Sequence, residues 1–594
     1  MCGIAGVLGG TEPVAPLISA LQHRGPDGVR VEPIRNGALG HARLSIIDLE
    51  CGWQPLHAAG STVIGNGEIY NYLELIAEHG LECATGSDFE PLLHLYAREG
   101  PAAFDRLRGM YAFCLVGGDG RTWLVRDPFG IKPLYLSEGP DGLRFASEPR
   151  ALPRGPLVAG RVNELLALNY AQSDTPYGAM RRLLPGEVME VAPAPDTLTA
   201  EVTALDTGPT ASGPAGGPLR GAANHRPASR LLERWGPLAA ASPRDEEEVL
   251  TRLDAVLEDS VRVHQRSDVP YGLFLSGGVD SAAIATLMSR LNQRPVTAYT
   301  CGFEGPEARD ERAAAERVAR ALNLDWRETT FGEADFWRVL PEVAWALDDP
   351  TTDYAILPTY KLAEAAKGAL TVVLTGEGGD EVFGGYGRYR RALRPNWLGG
   401  RPAAPQVDAP FLKDGGDVAL QHWREAAYAP EGLTKLQRAQ WRDIATWLPN
   451  DLLLKLDRCL MAHGLEGRTP FLDREVAGFA FNLPDALKVR GRHGKWILRK
   501  WLERHCPAAE PWARKQGFTV PVAGWIAPRA GDLARTLPEH EGIAQVCDTQ
   551  AVRAVFADEA GARHRWRLLF YAVWWNIHLG GMERREALRS LLPD

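Results

Sequence analysis

Long apolar runs are missing from this chain: no stretch approaches the roughly 20 apolar residues that cross a bilayer. The N-terminus lacks the basic-then-apolar profile of a secretory leader, so a cytoplasmic protein with no membrane partner is expected. Cysteine is sparse, with 8 in 594 residues. Cys2, Cys51, Cys83, Cys114, Cys301, Cys459, Cys506 and Cys547 are scattered, without CxxC pairs or histidines at zinc spacing, which argues against a disulfide framework or a structural zinc. Positive charge is not in excess either. The 66 basic and 75 acidic residues leave a net charge of −9, so nothing marks a polyanion partner and nucleic acid is not expected.

What is present is an ordinary globular composition, 45% apolar and 24% charged, in a chain long enough for roughly two to four domains. Up to about Glu190, short apolar segments alternate with turn signals (TVIGNGEIYN, YAFCLVGGDG, TWLVRDPFG, LYLSEGPDG, LRFASE), the pattern of an antiparallel strand-rich domain. A helix is expected within GSDFEPLLHLYAREG. Between Thr207 and Gly221, 8 of 15 residues are Gly or Pro, which predicts a linker or flexible insertion. From Asp245 onward, helix-period runs alternate with short buried strands (YGLFLSGG, VTAYTCGF, LTVVLTGEGG), the pattern of βα units around a parallel sheet. A second Pro/Gly-rich stretch, LRPNWLGGRPAAPQVDAP, reads as an excursion from that sheet, and the Trp-rich remainder as mostly helical.

YGLFLSGGVDSAAIATLMSRL places an apolar strand, then Ser276-Gly277-Gly278-Val279-Asp280-Ser281, then a helix. Two glycines let backbone N–H groups approach an anion, and the helix N-terminus adds its partial positive charge. Ser276 and Ser281 can donate hydroxyl hydrogen bonds, and Asp280 can hold a divalent cation against phosphates. No GK[ST] and no GxGxxG is present, so this is neither a Walker nor a Rossmann loop. The segment resembles the PP-loop of ATP pyrophosphatases. A second glycine-rich loop, LTGEGGDEVFGGY, carries Glu377, Asp380 and Glu381, carboxylates whose mutual repulsion a cation or an ammonium would relieve.

Cys2 follows the initiator Met, whose removal is expected. An N-terminal cysteine joins a thiol to a free α-amine that can accept its proton. MCGIAGVLGG, LQHRGPDG, HARLSIIDL, NGEIYN, TGSDFE and RDPFGIKPLY, in this order, resemble a class II glutamine amidotransferase. With the PP-loop segment, LLLKLDRCLMAHGLEGRTPFLD and GRHGKWILRKWL, nearly the whole chain resembles the glutamine-hydrolysing asparagine synthetase family. The fold implied is an α+β N-terminal-nucleophile αββα sandwich over 2–195, a linker over 196–243, and over 244–594 an α/β PP-loop parallel-sheet domain of the adenine nucleotide alpha hydrolase type with a helical C-terminal elaboration.

The resemblance implies Cys2 as nucleophile on glutamine, with Asn66 and Gly67 as the oxyanion hole. Arg43 would take the glutamine α-carboxylate, Glu68 and Asp88 its ammonium, and Leu44, Ser45, Ile46 and Ile47 would line its site. ATP would be held by Leu275, Ser276, Gly277, Gly278, Asp280, Ser281, Cys301, Thr375, Gly376 and Lys495. Mg²⁺ would be held by Asp280 and Asp380, and Glu377 would assist adenylation or deprotonate ammonia. Ammonia would pass internally between two active sites, and a homodimer is implied. The acceptor is aspartate by this resemblance, although in DDPTTDYAILPTYKLA the pair Asp353-Tyr354 stands where the family places a basic residue. A uronate sugar or natural-product acid amidated by the same chemistry is the alternative. Replacing the nucleophile, Cys2→Ala, is expected to abolish glutamine-driven product formation and to spare ammonia-driven formation, measured side by side as pyrophosphate release.

Overall fold

The structure is a computed structural model that describes residues 2–139, 142–191, 245–304, 311–395, 397, 400, 405, 407–426, 429–514 and 520–592. The linker expected over 196–243 lies outside the described residues, as does much of the second Pro/Gly-rich stretch. Among the described residues no helix is long and apolar enough to cross a membrane. All eight cysteines are free, and five of them are buried.

The first part of the chain forms two antiparallel sheets. One runs, in spatial order, Arg181–Arg182, Tyr135–Gly139, Gly142–Ala146, Gly3–Leu8, Gly37–Arg43 and Gly28–Ile34; the other runs Val188–Val191, Thr122–Arg126, Gly109–Val116, Ser61–Ile69 and Leu56–Ala58. Side-chain alternation along the strands sorts their faces into layers. Ile4, Leu8, Phe145, Ile64, Ala112 and Cys114 meet between the sheets. Their odd-numbered neighbours Tyr111, Phe113 and Leu115 turn outward against Leu92, Leu93 and Tyr96 of the helix Glu90–Glu99. On the opposite outer face Ala5 and Val7 meet Ile18 and the helix Ala159–Leu168. Helix, sheet, sheet and helix are therefore stacked as the sequence predicts.

The later part is built on five parallel strands in the order Asp325–Phe331, Thr297–Phe303, Tyr271–Phe274, Val372–Leu374, Glu466–Arg468. The direction of chain progression reverses between Tyr271–Phe274 and Val372–Leu374. At such a switch point the loops leaving the strand ends diverge and open a crevice. Those two loops are the glycine-rich segments after Phe274 and Leu374. Helices follow Arg468, including Ala562–His578, whose Trp566 and Trp574 indoles donate to the carbonyls of Thr352 (2.7 Å) and Leu347 (3.0 Å) and so fasten the segment 347–353.

Between the two parts lies a buried ion network. Arg24 is fully buried and grips Asp457 with both Nη atoms (2.7 and 3.0 Å) while its Nη1 also donates to Glu148 (2.7 Å). Arg458 pairs with Asp348 (3.0 Å) and Asp457 (2.9 Å), and Arg150 with Glu148 (2.7 Å). Three guanidinium groups thus face three carboxylates, which is what allows six charges to leave water together. Removing one member strands its partner. Asp457→Ala is expected to cost roughly 3–5 kcal/mol and to lower the thermal transition; the double substitution Arg24→Met/Asp457→Leu is expected to recover a large part of that loss, read by calorimetry.

Candidate active sites

Cys2 sits at the start of the strand Gly3–Leu8, half-buried. Its backbone N–H donates to Asn66 Oδ1 (3.2 Å), its carbonyl accepts from Arg24 Nε (3.2 Å), and its thiol points at the Leu44 carbonyl (3.8 Å). Burial raises the thiol above its ordinary pKa, so a nearby base is needed to form the thiolate. Asn66 is fully buried and its Nδ2 has no hydrogen-bond partner. An orphaned amide donor beside a thiol has the chemistry of an oxyanion donor. Gly67 follows with φ +133, and a Cβ there would lie 1.9 Å from the Met110 carbonyl, so no other residue fits this point of the strand.

Arg43 ends the strand Gly37–Arg43, buried, with its guanidinium over the Trp53 ring (4.7 Å). It donates to the carbonyls of Asp48 (2.5 Å) and Leu49 (3.2 Å), and to no carboxylate among the described residues. Its fork is therefore available to a ligand carboxylate. Leu44, Ser45, Ile46 and Ile47 continue from it as a loop: Ser45 N donates to Asp27 (2.7 Å), and the Ile46 carbonyl accepts from Asp268 N (2.9 Å). Asp88 lies in the turn before the helix Glu90–Glu99 and accepts from Ile69 N (2.7 Å). Glu90 braces that turn by accepting from the N–H groups of Ala84 (2.6 Å) and Thr85 (2.7 Å). Glu68 is buried, with Oε1 3.4 Å from Arg468 Nη2 and Oε2 lacking any partner. Burial, then the neighbouring charges of Asp88 and Glu466, holds Glu68 well above the carboxylate range; burial pushes Asp88 up to about 7. Two buried carboxylates beside one orphaned oxygen accommodate an ammonium.

At the switch point, a cavity of about 590 Å³ is lined by Ser276, Gly277, Gly278, Val279, Asp280, Ser281, Thr375, Gly376, Glu377, Asp380 and Lys495. Gly278 caps the 13-residue helix Val279–Leu291, whose first-turn N–H groups face the loop. Gly277 has φ +74, and a Cβ there would lie 2.7 Å from Ala315 N, so glycine is required twice over. Ser276 and Ser281 hydroxyls bond each other (3.1 Å). Leu275 and Cys301 lie in the buried sheet and do not line the cavity; Phe274 does. The three clustered acids of the second loop part company. Asp380 pairs with Lys495 (2.7 Å), which also bonds Asp280, while Glu381 is buried, accepts from Tyr386 (2.5 Å) and is pushed up to about 8 by burial. Asp280 and Asp380, two carboxylates converging on one cation, form an oxygen donor pair that fits Mg²⁺ shared with phosphates. Lys495 is buried with φ +55, at the start of the helix Trp496–His505 rather than exposed along it.

Glu377 points elsewhere, to Lys455 (3.4 Å), which also lies 3.6 Å from Asp353. Lys455 is buried on the helix Leu453–Met461 and lines the same cavity. A cation thus reaches the place beside Asp353-Tyr354 from another element. Sequence spacing does not mark Lys455; the available signal is one lysine inside the apolar run LLLKL.

A family model described as asparagine synthase matches residues 252–578, and one described as glutamine amidotransferase domain matches residues 1–200. Asparagine synthetase (glutamine-hydrolysing) 1 of Bacillus subtilis is 30% identical over 98% of this chain and 97% of its own. Asparagine synthetase B of Escherichia coli is 30% identical over 85% of this chain and 78% of its own. Among solved structures, the glutamine phosphoribosylpyrophosphate amidotransferase of B. subtilis with ADP and GMP matches at 17% identity and TM-score 0.26, covering 55% of this chain and 65% of that one.

The raised acids of the first site give a pH signature. A protonated carboxyl does not pair with an ammonium, so apparent glutamine affinity is expected to fall as pH drops through about 7. KM for glutamine in hydrolysis, measured from pH 6 to 8.5, should rise toward the acid side, and Asp88→Asn should raise KM throughout and flatten that limb.

Proposed function

The chain belongs to the glutamine-hydrolysing asparagine synthetase family and is a glutamine-dependent, ATP-dependent ligase, and from that premise we propose that it converts aspartate to asparagine. In this reading residues 2–195 form the glutaminase and 244–594 the synthetase. Cys2, with the α-amine exposed by Met removal as base, attacks the glutamine side-chain amide. Asn66 Nδ2 and the Gly67 N–H steady the developing oxyanion, where one donor is worth about 3–4 kcal/mol. Ammonia leaves, and water hydrolyses the γ-glutamyl thioester to glutamate. Arg43 on the α-carboxylate and Glu68 with Asp88 on the ammonium orient the substrate.

In the second site the aspartate side-chain carboxylate attacks the α-phosphorus of ATP and expels pyrophosphate. The loop Ser276–Ser281 and Lys495 bind the phosphate charge. Asp280 and Asp380 would hold Mg²⁺, which when bound neutralises the leaving pyrophosphate. Ammonia then attacks the acyl-adenylate, Glu377 accepts a proton, and asparagine and AMP result. An internal route for ammonia keeps it from being protonated in bulk water. The observation that carries this reading is the switch-point cavity, in which a phosphate-type loop and the Glu377–Lys455 pair open onto one space. Tyr354, half-exposed where the family places a basic residue, favours a second reading in which the same chemistry amidates another carboxylate.

Enzyme incubated with glutamine, ATP, Mg²⁺ and aspartate is expected to yield asparagine, glutamate, AMP and pyrophosphate in equal amounts. Glutamine hydrolysis without asparagine would rule out aspartate and leave the second reading.

A further inference from the structure

We propose that Cys83, Glu90 and His94 form a zinc site that takes no part in either proposed reaction, in which one ion staples the loop after the helix Tyr72–His79 to the helix Glu90–Glu99. The proposal goes beyond the amidation reading and does not depend on it.

Glu90 and His94 stand four residues apart on one helix, which puts them on the same face. Cys83 reaches them from the preceding loop, and the three potential ligand atoms all lie within 4.8 Å of one another. A tetrahedral zinc with bonds of roughly 2.0–2.3 Å holds its ligand atoms about 3.3–3.7 Å apart. The 3.5 Å between His94 Nε2 and Glu90 Oε1 already meets that spacing. At most about an ångström of side-chain movement closes the rest. Cys83 and His94 are half-buried, so an ion can enter from solvent. Only Glu90 and His94 are at ligand spacing in the sequence, which is why the chain shows no zinc motif; the fold brings in the thiol.

The Glu90 carboxylate is buried and short of one partner. It offers about four lone-pair sites. Ala84 N takes one on Oε1 (2.6 Å), while Thr85 N (2.7 Å) and the Thr85 hydroxyl (2.5 Å) take both on Oε2. The remaining site on Oε1 is served only by His94 Nε2 at 3.5 Å, beyond the usual 2.7–3.2 Å of a hydrogen bond. The Cys83 thiol makes no hydrogen bond among the described residues. Burial and the Glu90 charge push that thiol up to about 11, which argues against a redox or nucleophilic role for the bare cysteine. A divalent ion between thiol and carboxylate reverses the effect, because a coordinating thiol is deprotonated outright. Binding forms bonds from Sγ, Nε2 and Oε1 to the metal, releases the thiol proton to water and leaves a fourth position for a water molecule. A mixed set of sulfur, imidazole and carboxylate suits zinc, whereas magnesium and calcium take oxygen ligands. Glu90 keeps its bonds to Ala84 and Thr85 throughout, so the ion adds to the brace of the turn that carries Asp88.

The test uses the full-length protein, stripped with a chelator, then titrated with Co²⁺ as a spectroscopic stand-in and with Zn²⁺ against a chromophoric competitor. Cys2 and Cys51 are the other thiols that are not buried, so the titration is run on the Cys2→Ala/Cys51→Ala protein. One equivalent of Co²⁺ should give a thiolate-to-metal charge-transfer band. One equivalent of Zn²⁺ should displace it and raise the thermal transition. Adding Cys83→Ser should remove both the band and the zinc-induced thermal shift. Adding His94→Ala should weaken zinc at least about 10-fold, since losing a ligand costs no less than losing an outer partner of one. Metal-free thermal transitions report the folding of each variant, and Glu90 is left in place because it braces its turn. Absence of the band, a band that survives Cys83→Ser, or zinc affinity unchanged by His94→Ala would overturn the proposal and leave the amidation reading untouched.

Discussion

The bidentate pair between Arg24 and Asp457 joins the strand-rich part of the chain to the part built on the parallel sheet. Arg24 also donates from Nε to the Cys2 carbonyl, so the guanidinium that holds the Cys2 backbone also holds the helix Leu453–Met461 that carries Lys455. A hydrophobic interface could slide by small steps without a large penalty. A planar fork on a carboxylate in a dry interior cannot, because each ångström of slip breaks two charge-assisted hydrogen bonds and exposes neither charge to water. Arg458 and Arg150 extend the constraint to Asp348 and Glu148, tying the strand-rich part to the segment 347–353. The network thus fixes the register of the two parts against each other.

Much of the architecture was legible in the chain, and for identifiable reasons. Turn residues between short alternating segments foretold the antiparallel sheets, and glycines at the ends of apolar strands foretold the crevice, because both signals are local. Lys455, Asp457 and Arg458 were not legible. They lie within three residues of one another on a helix, and a charged triplet there reads as a solvated face, yet all three are buried against partners more than 70 residues away. Asp353 likewise looked like a lost basic residue until the fold delivered a lysine to it from another element. Lys495 was found through its motif, but its burial and left-handed backbone were invisible, since both follow from the approach of Gly385, where a Cβ would meet the Asp380 carboxylate and the Lys495 chain.

The three polar centres share one electrostatic arrangement. Glu68, Asp88 and Glu466 surround Arg468; Asp280 and Asp380 surround Lys495; Glu377 and Asp353 surround Lys455. In each, a buried basic side chain stands between two or more acids. A core optimised only for stability would balance or omit such charges. Polar clusters of this kind suit charged ligands rather than apolar ones.

These centres are also close neighbours in the fold. The strand Glu466–Arg468 is the outermost of the parallel sheet, and its Arg468 reaches Glu68 of the first site (3.4 Å) while its backbone carbonyl accepts from Thr375 N of the second (2.9 Å). Lys132, fully buried, approaches the Gly467 carbonyl of the same strand (3.5 Å). One three-residue strand therefore touches residues of both candidate sites.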